Sequence, residues 1–300
     1  MLYKSNGKIL LSSEYLVLDG AKSIALPAKK TQDMLVTKSS NNYITWESYD
    51  HNEKLWFAEK IISKGNELTY LGKKNIISDN LLSVFKHIQK NKDISYFMGN
   101  KFITKLNFNR NWGLGTSSTF INNLAKWAEI NPYELLFSTF EGSGYDIACC
   151  DRNCPVIFSK KNKLISINEI KLGPVFENNI FLIYLGVKQN TQNSINSYYK
   201  RSFNKLESIH EINSITEKII NCKNLYDLEN LIELHESIIS NILSVKPIQE
   251  SKFKDYQKGK KDYWYSASIY LTKDYKSVAP VRTTFVQLYE KGWKPILMVT

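Results

Sequence analysis

Short apolar runs separated by polar turns occupy the first part of the chain and predict β-strands. Residues 8–18 read as two apolar runs divided by a polar turn at 12–14, and Asp19-Gly20 is typical of a hairpin. The other predicted strands are 23–28, 35–46 around a turn at 39–42, and 54–62. The N-terminal part should therefore build a sheet.

Helical spacing first appears at residues 78–90, where Leu81, Leu82, Phe85 and Ile88 predict an amphipathic helix. A strand at 101–108 then leads through a glycine-rich turn into a second helix. Asn131 is a natural N-cap for a third helix at 132–140, with Pro132 at its first position. The break 141–144 separates that helix from Tyr145-Asp146-Ile147-Ala148.

The C-terminal half mixes strands and helices without a strict βαβ alternation. It begins with a predicted hairpin, 155–159 and 164–167, and a boundary near Gly173-Pro174 divides the chain into domains 1–174 and 175–300. Beyond the boundary we predict strands at 180–185, 267–271 and 295–299, and helices at 194–209, 212–220, 225–243 and 281–290. This order favours an α+β protein of two lobes.

Composition narrows the class of protein only slightly. The net charge is +11, but the lysines are scattered and there are four arginines, so a solvated basic surface is favoured over an RNA-binding patch. There is no apolar run of the roughly 20 residues that a membrane span needs and no signal-peptide layout, so we expect a cytoplasmic protein that binds neither membranes nor nucleic acid. Cys149, Cys150 and Cys154 match no metal-binding spacing, so we expect reduced, buried thiols beside a strand.

The glycine-rich turn before the second helix is the strongest chemical signal. It reads Gly113-Leu114-Gly115-Thr116-Ser117-Ser118. Glycines let a backbone approach an anion closely, and a helix start offers unpaired N–H groups. The turn lacks the Lys-Ser/Thr of a Walker loop and the third glycine of a dinucleotide fingerprint. It therefore indicates either a phosphate site or a simple turn capped by serines.

Two further segments gain meaning from their order along the chain. Residues 7–20 read G-K-I-L-L-S-S-E-Y-L-V-L-D-G, and residues 144–148 read G-Y-D-I-A. With the glycine-rich turn between them, these segments resemble the three-part signature of the GHMP kinases, the superfamily of galactokinase, homoserine kinase and mevalonate kinase. Gly-Tyr-Asp-Ile-Ala is similar to a bacterial branch close to mevalonate kinases. The resemblance covers residues 7 to about 200 and implies a ribosomal-protein-S5-like N-terminal lobe and a ferredoxin-like C-terminal lobe.

The resemblance also implies roles for single residues. Gly113, Leu114, Gly115, Thr116, Ser117 and Ser118 would wrap the phosphates of ATP, with Ser117 as a Mg²⁺ ligand. Asp146 would be the catalytic carboxylate, and Lys8 would lie between it and the transferred phosphoryl group. Glu14, Lys188 and Thr191 would contribute to the acceptor site. A second metal ligand would be Glu134 or Glu141, and Glu134 also suits a role as a helix-capping carboxylate.

The sequence departs from the family pattern at two points. Ser13 stands where glycine is usual, and residues 262–268 contain no glycine where the family has a third glycine-rich loop. Three functions thus stay open. The first is an ATP-dependent kinase of a small hydroxy acid, with mevalonate or phosphomevalonate as first acceptors and a place in isoprenoid biosynthesis. The second is a catalytically impaired binding protein on the same fold, and the third is an RNA-binding protein. The sequence predicts no oligomeric state.

Overall fold

The structure is a computed structural model that describes residues 1–176, 182–183, 191–246, 268–270, 278–280 and 295–296. For 182–183, 191–193 and the last three segments the description covers the backbone. The chain forms two compact units. The first unit holds Met1–Gly7, Lys30–Arg110 and Gly115–Asp151, and the second holds Lys8–Lys29, Asn111–Leu114 and Arg152–Thr300.

The first unit is a sheet with helices. Its strands include part of β1 (Leu2–Leu10), the second part of β2 (Ser23–Lys38), β3 (Ile44–Tyr49), β4 (Leu55–Lys64), β5 (Glu67–Tyr70) and β6 (Asn100–Leu106). The order is β5-β4-β3-β6-β2, with β3 and β6 parallel and the other neighbours antiparallel. The helices are α1 (Ile76–Ile88), α2 (Ile94–Phe97), α3 (Thr116–Ala128), α4 (Pro132–Thr139) and α5 (Tyr145–Cys150).

An aromatic cluster forms the core of the first unit. Trp46 stacks on Phe102 with ring centroids 5.4 Å apart, and Phe102 meets Trp127 of α3 edge-on at 4.8 Å. Phe85 of α1 also packs edge-on against Phe102. Large aromatic side chains bury much apolar area, and edge-to-face pairs add about 0.5–1.5 kcal/mol each. The cluster therefore anchors α3, the helix that follows the glycine-rich turn, on the sheet.

The second unit begins with a short 3-10 helix, Leu16–Asp19, and the first part of β2, which pairs with β7 (Val156–Lys161). β7 pairs in turn with β8 (Leu164–Glu169), and a 3-10 turn follows at Pro174–Phe176. The helices are α6 (Thr191–Tyr199), α7 (Lys205–Ile220) and α8 (Leu225–Leu243). Two short antiparallel pairs join β9 (Leu182–Ile183) to β12 (Pro295–Ile296), and β10 (Ser268–Tyr270) to β11 (Val278–Pro280).

Most predicted elements of the described residues are confirmed. These include helix α1, the Asn131 cap of α4 through bonds to the Tyr133 and Glu134 N–H groups, the β7–β8 hairpin, and α8 at the predicted bounds. The predicted strand 180–185 appears as Leu182–Ile183, and the strands near 267 and 295 appear as β10 and β12. The predicted helix 281–290 lies outside the described residues. The domain boundary near Gly173 stays a prediction.

One strand prediction was wrong, and two predicted strands are parts of a single strand. The second apolar run of residues 8–18 is a 3-10 helix, and Gly20, with a left-handed φ of 97°, caps it instead of turning a hairpin. The predicted strands at 23–28 and 35–38 are one 16-residue strand, β2. Pro27 made a break plausible, but it lies between the residues that pair with β7 and those that pair with β6. Proline therefore interrupts neither of these two ladders.

The cysteine prediction needs one correction. None of the four cysteines, all of which lie in the described residues, forms a disulfide, as expected, but Cys149 and Cys150 lie in helix α5 and Cys154 is only half-buried. Burial, followed by the neighbouring Cys149 and carboxylates, raises the pKa of Cys150 well above its usual value. Within the described ranges, no helix combines the length and apolarity needed to cross a membrane.

Candidate active site

The glycine-rich turn leaves the N-terminus of α3 without a side-chain cap. Gly113 and Gly115 both have left-handed backbones, with φ of 72° and 84°, and Gly115 occupies the N-cap position. Residues with a Cβ rarely adopt this conformation. The first N–H groups of an α-helix lack intrahelical acceptors and carry a partial positive charge. A 13-residue helix that begins in this way is suited to hold an anion.

The hydroxyl groups after this turn divide into two kinds. Ser118 is buried and donates to the Gly115 carbonyl at 2.8 Å, while Thr119 donates to Gln32 Oε1 at 2.6 Å. These bonds fix the turn and its helix. Ser117 is exposed and Thr116 is half-buried. Ser117 therefore lies where a hydroxyl can reach a ligand at the start of α3.

Lys8 lies beside the turn in the second unit. Its N–H donates to the carbonyl of Leu114 at 3.0 Å, which ties β1 to the middle of the turn. Lys8 is buried, as is Glu14 after the end of β1. Buried lysines and glutamates are rare unless other groups balance their charge. The structure thus places the backbone of Lys8 next to Leu114.

Asp146 lies in the first turn of helix α5 and is half-buried. The helix starts from Gly144, whose φ is 91°. A Cβ at Gly144 would lie 3.0 Å from Phe137 Cζ and 3.2 Å from the Tyr133 ring of α4. Two features therefore require glycine at position 144: the left-handed backbone, and the close approach of α4, which leaves no room for a Cβ. The contact with α4 also fixes where α5 begins.

A polar contact that the sequence analysis missed joins the helix of the glycine-rich turn to the helix of Asp146. Asn122 of α3 donates to Asp151 Oδ2 at 3.0 Å, and Lys126 of α3 contacts Asp151 Oδ1 at 2.6 Å. Asp151 is the C-cap residue of α5. Helix α3 also packs directly against both α4 and α5. The first unit thus positions Asp146 relative to Gly115 and Ser117 through neighbouring helices.

The remaining candidates are less well defined. Glu134 is exposed in the first turn of α4. Burial, followed by the charge of Lys90, lowers the pKa of His87, and the Glu134 carboxylate partly offsets this shift. Glu141 is also exposed. Lys188 and the Thr191 side chain lie outside the described residues, as do residues 262–267 of the glycine-free segment. Across the described part of the chain, no three His, Cys, Asp or Glu side chains form a group that could hold a metal.

Comparison with known proteins gives a result at the level of structure. No family model and no curated protein matches the sequence. A phosphomevalonate kinase from Streptococcus pneumoniae, solved with phosphomevalonate and AMPPNP, superposes with a TM-score of 0.70 at 11% identity, covering 99% of both chains. The mevalonate kinase of Methanococcus jannaschii gives 0.66 at 15% identity, covering 100% of this chain and 98% of that one. The chain has the GHMP kinase fold.

A D-glycero-D-manno-heptose 1-phosphate kinase from Bacteriodes thetaiotaomicron is also similar, with a TM-score of 0.62, 13% identity and coverage of 99% and 95%. The GHMP kinase fold thus extends over the whole length of this chain, which confirms the predicted fold. Sequence identity this low establishes the fold and no more. The chemistry has to be argued from the site itself.

Proposed function

We propose that this protein is an ATP-dependent kinase of a small hydroxylated metabolite. One observation carries the proposal: the uncapped N-terminus of α3, behind two left-handed glycines, belongs to the helix against which α5, the helix that carries Asp146, packs. A simple structural turn explains the glycines but not the carboxylate held beside the same helix. Phosphoryl transfer needs both an anion cradle and a positioned carboxylate.

The residues of the site would act mainly by alignment and by electrostatics. The N–H groups at Gly115 and Thr116 would hold phosphate oxygens, and the Lys8 ammonium would stabilise the phosphoryl group as its negative charge shifts. Asp146 would accept a hydrogen bond from the acceptor hydroxyl, orient it, and take its proton during transfer.

Mg²⁺ bound to ATP would neutralise phosphate charge, and Ser117, with Glu134 or Glu141, would supply protein ligands. Magnesium in kinases typically takes one or two protein oxygens in addition to phosphates and waters, so a cage of three acidic residues is not needed.

Mevalonate and phosphomevalonate are the first acceptors to test. Support comes from the resemblance of Gly144-Tyr145-Asp146-Ile147-Ala148 to the mevalonate kinase branch and from the likeness to a kinase solved with phosphomevalonate. A hydroxy acid or its phosphate is an anion, and the net charge of +11 favours anionic ligands in general.

An ATP-consumption screen tests the proposal. Purified protein with Mg-ATP is offered mevalonate, phosphomevalonate, homoserine and simple sugars, and each product is verified by mass spectrometry. Asp146→Asn, prepared in parallel, controls for a contaminating kinase. We expect acceptor-dependent ADP release by the wild type and its loss in the variant. Equal rates in both proteins would contradict the role of Asp146.

A second candidate, a catalytically impaired binding protein, is favoured by the glycine-free segment 262–268. Aromatic residues such as Trp264 cannot bring backbone N–H groups against a phosphate as glycine does. Loss of one such bond, at about 1.5–3 kcal/mol, would weaken ATP binding roughly 10- to 100-fold. Calorimetry with a non-hydrolysable ATP analogue and Mg²⁺ separates the candidates. A Kd in the high-micromolar to millimolar range supports the kinase, whereas no binding at several millimolar contradicts it.

A further inference from the structure

Four buried polar side chains surround the turn after β1 in the second unit. Ser12 and Ser13 belong to the turn, Thr216 to α7 and His235 to α8, and each is at most 2% exposed. Polar groups removed from water need hydrogen-bond partners to offset their desolvation. The contacts within this cluster therefore indicate what the cluster holds in place.

The cluster ties the backbone of the turn to both helices. The Ser13 N–H donates to His235 Nε2 at 2.7 Å, and the Ser13 hydroxyl donates to the Lys22 carbonyl at 2.5 Å. Thr216 donates to the Ser12 hydroxyl at 3.0 Å, and that hydroxyl also accepts from the Ile24 N–H at 3.0 Å. Ser12 and Ser13, at the start of the turn, are therefore fixed by side chains distant in sequence.

The backbone of the turn from Ser13 to Tyr15 is strained. Ser13 has a φ of 69° and Tyr15 a φ of 60°, so two residues with side chains adopt positive φ on either side of Glu14. Such conformations persist when the surrounding structure over-determines them, and they concentrate at ligand sites. Glu14 itself is 4% exposed, so the backbone angles around it decide where its carboxylate lies.

The chemistry of His235 suits its side chain to accept this hydrogen bond continuously. Because Nε2 accepts the Ser13 N–H, the proton of the neutral ring is on Nδ1. Burial lowers the pKa of His235 to about 4, so the ring stays neutral and continues to accept at neutral pH. A side chain of similar size without an acceptor would leave the Ser13 N–H buried without its partner.

We propose that His235 is a positioning residue that holds the Ser13–Tyr15 turn through the Ser13 N–H and thereby sets the position of Glu14 for binding the phosphoryl acceptor. The inference rests on the proposed kinase function for its acceptor, but not for the geometry of the turn. It assigns helix α8 a part in binding the acceptor. It also accounts for a serine at position 13, where the family has glycine: the Ser13 side chain adds a bond that glycine cannot make.

The kinetic test compares His235→Leu, which keeps the bulk and loses the acceptor, with His235→Gln, which keeps a side-chain acceptor. With the acceptor found in the screen, we expect His235→Leu to raise the KM for that acceptor at least about 10-fold, the order expected when a buried donor loses its partner. The KM for ATP should change less than about 2-fold, and His235→Gln should recover most of the loss. Equal effects of both variants, or parallel rises in both KM values, would contradict the proposal.

A second measurement needs no substrate. In the wild type, ¹⁵N spectra of the imidazole should show Nε2 unprotonated and Nδ1 protonated at neutral pH, and the Ser13 amide should exchange slowly with D₂O. Exchange should accelerate in His235→Leu and not in His235→Gln. If the leucine variant does not fold, the wild-type spectra still decide: a protonated Nε2 or a rapidly exchanging Ser13 amide overturns the proposal. If the protein phosphorylates none of the acceptors but passes this test, the kinase function is contradicted, whereas the role of His235 in holding the turn is not.

Discussion

Ser13 allows a stability prediction that reverses the usual order of alanine and glycine. Ser13→Ala removes the part-buried hydroxyl bond to the Lys22 carbonyl, which should cost about 0.5–1.5 kcal/mol. The φ of 69° stays, and with it the left-handed strain. Ser13→Gly loses the same bond but releases roughly 1–2 kcal/mol of strain, against about 0.5–1 kcal/mol of extra freedom in the unfolded chain. Glycine should therefore be more stable than alanine by about 0.5–1 kcal/mol.

Thermal unfolding followed by circular dichroism measures this difference. For domains of 150–250 residues, 1 kcal/mol corresponds to about 2–4 °C in Tm, so the alanine variant should melt several degrees below the wild type and the glycine variant between them. Ser12 provides the matched control, since it lies in the same cluster but does not have a positive φ. There, Ser12→Gly should be the less stable variant. If alanine matched or exceeded glycine at position 13, the strain argument would be refuted.

Four further predictions test the site and its supports. Asp146→Asn should retain ATP binding by calorimetry while turnover falls at least about 10²-fold, and unchanged turnover would remove Asp146 from the mechanism. Ser117→Ala should raise the Mg²⁺ concentration needed for half-maximal rate, whereas an equal fall at limiting and saturating Mg²⁺ would exclude a ligand role. Gly144→Ala should lower Tm more than Gly65→Ala, because both have positive φ but only a Cβ at 144 meets neighbours; equal losses would refute the packing argument. His235 has a pKa of about 4 when folded and 6.5 as its ordinary value, so its contribution to stability is full above 6.5 and falls as pH drops toward 4. About 3 kcal/mol should be lost in that window relative to His235→Gln, measured by denaturant unfolding, and parallel pH profiles would contradict it.

Elements fixed by local signals could be predicted from the sequence. The apolar spacing of α1 and the Asn131-Pro132 start of α4 act within a few residues, and the structure confirms both. The run Leu16–Asp19 shows the limit of such signals. Four residues with an Asp-Gly end fit a strand and hairpin as well as a 3-10 helix, and the choice depends on packing against β7 and α7. Propensity is a weak prior against such tertiary contacts.

The same distinction between local signals and contacts distant in sequence applies to the candidate site. Its proposed residues on the three motifs come from order and residue type, because phosphate binding constrains a short stretch of chain, and their roles stay predictions. His235 could not, since its partner is a backbone N–H 222 positions away and a lone histidine in an amphipathic helix carries no local signal. Asp151 was missed for a related reason: its contact with Asn122 crosses between two helices, and no spacing rule links them.

The buried thiols of helix α5 can report the local opening of this helix, which also carries Asp146. Cys149 and Cys150 are buried in the same six-residue helix as Asp146, so a maleimide or disulfide reagent can reach them only when that helix opens. The rate of their modification, followed by mass spectrometry, would report local opening separately from global unfolding. Cys154 is half-buried just beyond the helix, and burial and Glu169 raise its pKa. Its modification, at this smaller thiolate fraction, gives the rate for a thiol outside the helix. Slower modification of Cys149 and Cys150 in the presence of added nucleotide would then show that binding at α3 reduces the local opening of α5.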